Sequence, residues 1–285
     1  MAANIQPVAV ITGCSSGVGL QLAVLMAKTH RVYATMRNLD KREALEKAAA
    51  DAAVTANLFV EKLDVCCDES VKTAFDKIIE KEKRIDVLVN NAGYTAFGNV
   101  EMVGMKEIED QFNTNVYGVM RCQKAVLPTM RSQKSGKLIV TGSIGGIFGQ
   151  PFSDIYCATK YAVEGLVCSQ AAALKTMGIY SSIVEPGAIL TEFKTNAKRP
   201  DTSVMPAEYG PILESTLAYY GESAKSAQTG AEVAQVIIDE IVSVEEPPVR
   251  IQTSEKVKEL AAGLLKDTTG AITSKIVETH FLPSK

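Results

Sequence analysis

The sequence predicts an α/β fold, a doubly wound parallel sheet of about seven strands with helices on both faces. Three observations predict it. Short β-branched apolar runs alternate with helical stretches along most of the chain. The connections are short, and right-handed βαβ crossovers then stack the strands in parallel. The strand cores, such as Val87-Leu88-Val89, are apolar without alternation, as expected of strands covered on both faces. Residues 1–285 read as one domain with a substrate lid at about 188–230 and a variable tail at about 253–285.

The first strand is VAVIT, Val8 to Thr12, running into a glycine cluster. Val18, Leu22, Leu25 and Met26 then recur at helical spacing over 17–28. RVYATMR, Arg31 to Arg37, is the second strand and gives way to a charged, Ala-rich helix that runs to about Ala50. Leu58 to Val65 makes strand three, 70–83 a helix, and IDVLVNNAG strand four. One long helix is expected over about 105–130, followed by KLIVTGS as strand five and a helix over about 153–177. IYSSIVEPG is strand six. From 188 to 230 the alternation lapses among Pro200, Pro206 and Pro211, and a helix over 231–242 with the strand PVRIQT resumes it.

Composition limits the function. A net charge of −3 offers no basic footprint for nucleic acid. The N-terminus carries no basic-then-apolar leader, and no stretch reaches the roughly 18 apolar residues of a membrane span. A soluble, cytoplasmic protein is expected. The six cysteines lack metal-ligand spacing and the chain has two histidines, so no metal site is expected.

Chemistry begins at Thr12-Gly13-Cys14-Ser15-Ser16-Gly17-Val18-Gly19. Gly13 turns the chain off the strand, Gly17 leaves room for a pyrophosphate, and Gly19 permits close helix–sheet packing. The helix N-terminus offers free N–H groups to the anion. At the end of strand two, where an acid would bind a ribose 2′-hydroxyl, stand Thr35-Met36-Arg37. A guanidinium there suits a 2′-phosphate, with Ser15 and Ser16 as further donors, so the cofactor is read as NADP(H). Tyr156 and Lys160 are four apart on a helix and share a face. A lysine ammonium favours the phenolate and lowers the tyrosine pKa, which equips Tyr156 for proton transfer. Ser143, at the carboxyl end of strand five, can donate to a developing oxyanion.

These blocks together, TGxxxGxG, NNAG at Asn90 to Gly93, the serine ending strand five and YxxxK, resemble the short-chain dehydrogenase/reductase family with its Rossmann fold. The likeness extends from about Val8 to Thr191 in family order. TGCSSGVGL, VYATMR and GGIFGQPFSDIYCATKYAVEGL look most like the branch of 17β-hydroxysteroid dehydrogenase type 1 and photoreceptor retinol dehydrogenase. The resemblance implies that Asp64 holds the adenine amino group and that Asn91 lies against the adenosine ribose. It also implies that Lys160 bonds the nicotinamide ribose and that Asn115 is the fourth catalytic residue, holding a water for proton exchange. Pro186, Gly187 and Thr191 match the loop that holds the nicotinamide carboxamide. A homodimer through the helices after strands four and five is implied, with Ala158, Ala162, Ala171, Ala172 and Ala173 allowing close approach.

The expected activity is interconversion of a carbonyl and an alcohol on a hydrophobic small molecule, steroid-, retinoid- or lipid-like. Its pocket is expected from Ser143, Ile144, Ile147, Phe148, Gln150 and Tyr156, with Phe193, Tyr209, Tyr219 and Tyr220 in the lid. Gln150 departs from the apolar residue of steroid-reducing relatives. Glu278 and His280 are tail candidates that read better as solvated residues. A sensor or scaffold that has lost catalysis is the alternative, and the intact Ser143, Tyr156, Lys160 and Asn115 argue against it.

Overall fold

The computed structural model describes residues 6–190 and 205–283. Its first half is β1 (Val8–Thr12), α1 (Gly17–Met26), β2 (Arg31–Met36), α2 (Glu43–Asp51), β3 (Leu58–Lys62), α3 (Asp68–Glu82) and β4 (Val87–Asn90). Next come α4 (Met105–Phe112), α5 (Gly118–Gln133), β5 (Gly136–Thr141), α6 (Asp154–Lys175) and β6 (Ile179–Glu185). After them come α7 (Gly210–Ala224), α8 (Gly230–Ile237), β7 (Arg250–Gln252), α9 (Glu255–Leu264) and α10 (Ala271–His280). The seven strands form one parallel sheet in the order β3-β2-β1-β4-β5-β6-β7. The order reverses between β1 and β4, and ligands of such sheets bind in the crevice beyond the carboxyl ends of these strands.

Both faces of the sheet are buried. Ala9 and Ile11 of β1 pack with Leu22, Val89, Ile139 and Ile237 on one side. Val8 and Val10 point the other way, into Phe75, Leu88, Val126 and Leu138. Side chains alternate across a strand, so two apolar faces produce the unbroken apolar runs read in the sequence.

Three elements differ from expectation. The helix expected over 105–130 runs unbroken but carries a π-helical turn, Asn113–Tyr117, between α4 and α5. Such insertions recur at functional sites, and this one carries Asn115. The lapse at 188–230 contains α7, a helix of 15 residues. Pro211 is not a breaker there but stands in the first turn, where its missing N–H costs nothing. The flanking pairs Ile189–Leu190 and Gln228–Thr229 form a small parallel ribbon. The tail folds as α9 and α10, whose Val257, Ala261, Leu264 and Phe281 pack on Ile144, Ile147 and Phe148. Ala158, Ala172 and Ala173 are exposed on α6. Among the described residues no helix is long and apolar enough to cross a membrane.

Candidate active site

The glycine loop leaves β1 through two left-handed residues, Gly13 at φ +75° and Gly17 at φ +60°. A Cβ on Gly13 would lie 2.8 Å from Ala92 Cα, so the turn is held against the strand-four exit. The hydroxyl of Thr12 accepts from the N–H groups of Asn91 and Ala92, both at 3.0 Å. Asn91 Nδ2 donates to the carbonyls of Thr12 (3.0 Å) and Gly13 (3.1 Å). Asn91 thus fastens the loop itself. Ser16 precedes α1 without a side-chain capping bond. That leaves the first-turn N–H groups to serve an anion, which is what a pyrophosphate requires.

Gly19 shows how tight this cradle is. A Cβ there would fall 2.4 Å from both Gly13 O and Asn91 Nδ2. Gly19→Ala is therefore expected to push the loop off the NNAG segment and to cost about 1–3 kcal/mol, as overpacking does. The check is a thermal melt beside a cofactor titration. A lowered Tm with weakened binding is expected, and wild-type values for both would contradict the packing argument.

Arg37 is exposed one residue beyond β2, whose Thr35 and Met36 are buried. Its charge reaches Cys66, so it stands near the turn after β3. In that turn the Asp64 carboxylate accepts the Cys66 N–H at 3.0 Å. The end of β2 and the Asp64 turn are therefore neighbours, as a shared adenosine site needs. Thr191 and Phe193 lie outside the described residues.

Ser143 caps a short helical turn, Ile144–Gly146, and its Oγ accepts the Gly145 N–H at 3.0 Å. The side chains of Ser143 and Tyr156 are hydrogen-bonded, and Gly145 lies against both. Burial pushes the Tyr156 phenol up to about 12, and the Ser143 bond offsets part of this. Lys160 is buried, with Nζ 5.6 Å from the centre of the Tyr156 ring and donating to Thr141 O at 2.7 Å. Burial drives Lys160 down to about 8, opposed by the Glu164 carboxylate. The expected lowering of the Tyr156 pKa is not seen in this arrangement. The ammonium is aimed at the end of β5, burial dominates, and the phenol is neutral at physiological pH.

Asn115 is buried in the π-helical turn. Its Nδ2 donates to Tyr94 O (2.9 Å) and Thr159 Oγ1 (3.1 Å), and its Oδ1 accepts the Tyr94 N–H (3.1 Å). Thr159 in turn donates to Tyr156 O at 2.7 Å. Asn115 therefore ties the strand-four exit to the helix that carries Tyr156 and Lys160. Pro186 O accepts the Ile144 N–H at 2.9 Å, joining the loops after β5 and β6.

The apolar residues read as pocket-side in the sequence pack into a buried cluster with the tail. Ile144, Ile147 and Phe148 are buried beneath Val257 and Phe281 of the tail. Gln150 has a partner. Tyr220 of α7 donates to Gln150 Oε1 at 3.0 Å and contacts Ser153 Oγ at 3.0 Å. Phe97 and Phe281 pack edge-on to the Tyr220 ring, and Phe152 stacks on Phe97. Glu278 and His280 are exposed, as their solvated reading has it. Phe97 and Phe281 carried no motif to single them out, and Phe152 lies within the GGIFGQPFSDIYC block without having been named. The buried carboxylates Glu164 and Glu185 were also missed, although a glutamate one turn after Lys160 and another inside an apolar strand were available signals.

Comparison with known proteins places this geometry. The family model for the short chain dehydrogenase matches residues 7–202. Human retinol dehydrogenase 8 is 38% identical over 275 residues, covering 92% of this chain and 86% of the relative. Human 17-beta-hydroxysteroid dehydrogenase type 1 is 36% identical over 273 residues, covering 93% and 82%. A solved structure of ElxO with NADP bound is 27% identical and superposes with a TM-score of 0.70, covering 87% of this chain and 98% of that one. With two thirds of its length matched and its sheet order and glycine loop in place, this chain belongs to the short-chain dehydrogenase family of oxidoreductases.

Proposed function

We propose that this protein is an NADPH-dependent reductase of hydrophobic carbonyl compounds, steroid-, retinoid- or lipid-like, with Tyr156 as the proton donor. The observation that carries the reading is the half-buried, neutral Tyr156 hydrogen-bonded to Ser143 and one turn from Lys160. A bound nicotinamide supplies the hydride that reduces the carbonyl carbon. Ser143 donates to the carbonyl oxygen and holds it beside Tyr156. As negative charge builds on that oxygen, the Tyr156 hydroxyl delivers its proton, and Lys160 stabilises the phenolate left behind. A phenol held near 12 is a poor base at neutral pH, so this arrangement suits reduction. Oxidation of the alcohol is favoured as pH rises.

The chain's own groups support NADPH over NADH. Arg37 is exposed beside the Asp64 turn, and no acid occupies the end of β2 to repel a 2′-phosphate. ElxO, of the same fold, binds NADP. The Ser15–Gly19 loop would hold the pyrophosphate and the Pro186–Gly187 loop the carboxamide end. The apolar cluster of Ile144, Phe148, Tyr220 and Phe281 beyond Ser143 would suit an apolar body, in keeping with the retinol and hydroxysteroid dehydrogenases among its relatives.

Steady-state reduction of a medium-chain aldehyde by wild type and Arg37→Ala, each with NADPH and NADH, tests this reading. A charge-assisted hydrogen bond is worth roughly 1.5–3 kcal/mol. At 1.4 kcal/mol per factor of ten, the preference for NADPH should fall roughly tenfold to a hundredfold. Equal losses with both cofactors would remove Arg37 from 2′-phosphate recognition, and no NADPH-dependent turnover in wild type would overturn the reading.

A further inference from the structure

One helical turn beyond Lys160, on the buried side of α6, stands Glu164, 4% exposed. Glu185, fully buried at the end of β6, lies within hydrogen-bonding reach of it. Arg250, which opens β7, donates from Nε to Glu164 Oε2 at 3.0 Å and sits 3.5 Å from Glu185 Oε1. Gln252 donates to Glu185 Oε2 at 2.9 Å. Glu164 Oε1 and Glu185 Oε1 remain buried without a hydrogen-bond partner among the described residues. The Ile144–Phe148 loop closes over the group at Gly146, where a Cβ would lie 3.0 Å from Glu164 Cγ and 3.1 Å from Lys160 O. That loop brings no titratable group. The other titratable side chains whose charge couples to the pair are Cys168 and Tyr161 of α6.

Two carboxyl groups in contact inside a protein do not both ionise freely, because like charges at this distance repel strongly where water is excluded. One guanidinium is shared between them, and a proton placed between the carboxyls would satisfy orphaned oxygen. Residues four apart on a helix face are neighbours, so the charge left on Glu164 acts on Lys160. We propose that Glu164 and Glu185 are positioning residues for the reaction: a carboxyl pair that holds one proton at mildly acidic pH, and whose Glu164 anion keeps Lys160 an ammonium. This rests on the role given to Lys160 above. Burial and the Glu185 charge raise Glu164 to about 7, and Glu164 in turn opposes the lowering of Lys160.

Two readouts test the pair independently of turnover. Infrared difference spectra across the acid-to-neutral range should show a protonated carboxyl band in wild type that fades through about pH 7. The band should be lost at pH 6 in both Glu164→Gln and Glu185→Gln, since either change leaves one carboxylate alone with Arg250. The second readout is the titration of Lys160 by NMR of lysine labelled with ¹³C at Cε, assigned by its absence in Lys160→Arg. The wild-type midpoint should lie near 8. It should fall by about one unit in Glu164→Gln, the lower end of what an adjacent opposite charge contributes. In Glu185→Gln it should not fall, because Glu164 stays ionised against Arg250. Damage to the fold would move both variants alike, so the same fall in both, or none in either, overturns the proposal.

If Glu164→Gln does not fold, Arg250→Met makes the test from the other side. Without the guanidinium the protonated band should persist to higher pH, and an unchanged band overturns the proposal. Under the reductase reading the alkaline limb of kcat/KM follows the Lys160 midpoint in Glu164→Gln. A midpoint that moves while the limb stays fixed would refute that use of Lys160 and leave the carboxyl pair standing.

Discussion

Tyr156→Phe is expected to keep the fold and lose turnover by about 10²-fold to 10⁴-fold, the range that a general acid supplies. The substitution removes one hydroxyl and leaves the ring where it packs against Gly145. Ser143 retains its bond from the Gly145 N–H, and Lys160 its bond to Thr141 O, so neither neighbour is stranded. What is lost is the hydroxyl that the structure holds against Ser143. Cofactor affinity should change little, since the glycine loop and Arg37 are untouched. The measurement is NADPH consumption by the purified variant, with circular dichroism and a melting curve to establish folding. A folded variant with near-normal turnover would show that the proton arrives by another route.

Much of this was legible in the sequence, for identifiable physical reasons. The parallel sheet was readable because its central strands are buried on both faces, so Val8–Thr12 and Val87–Asn90 stand out as buried runs. The cradle was readable because positive φ at Gly13 and Gly17 and the near-contact at Gly19 admit no other residue cheaply. Tyr156 and Lys160 announced themselves by helical spacing. What escaped depends on chain segments meeting from a distance. Gln150 looked like a polar residue out of place, and its partner Tyr220 is 70 residues away. The Glu164–Glu185–Arg250 cluster is assembled from α6, β6 and β7, and each member alone reads as an ordinary charge.

Local conformation escaped for a different reason. The π-helical turn at Asn113–Tyr117 lies within the one helical run that periodicity predicted, because periodicity reads the helix but not a local change of its hydrogen bonding. Pro211 marked a lapse in pattern reading, yet it begins α7. The lowered Tyr156 pKa failed as an expectation because spacing gives the lysine's helix face but not where its ammonium points. Here that direction is toward Thr141 O, and burial raises the phenol.

The central claim is NADPH-dependent reduction in an apolar cleft, and a homologous series of straight-chain aldehydes tests it most directly. The proposed cleft would draw its wall from the apolar cluster of Ile144, Ile147, Phe148 and Phe281, on which Tyr219 and Tyr220 of α7 pack. Each methylene buried there is worth about 0.8 kcal/mol, which is up to roughly fourfold in kcal terms converted at 1.4 kcal/mol per factor of ten. Measured as kcat/KM with saturating NADPH, the series should climb by about threefold to fourfold per carbon until the cleft is filled, then level. Hydroxy acids and sugars of similar size should fall far below it. A flat series, or a preference for those polar substrates, would contradict the account.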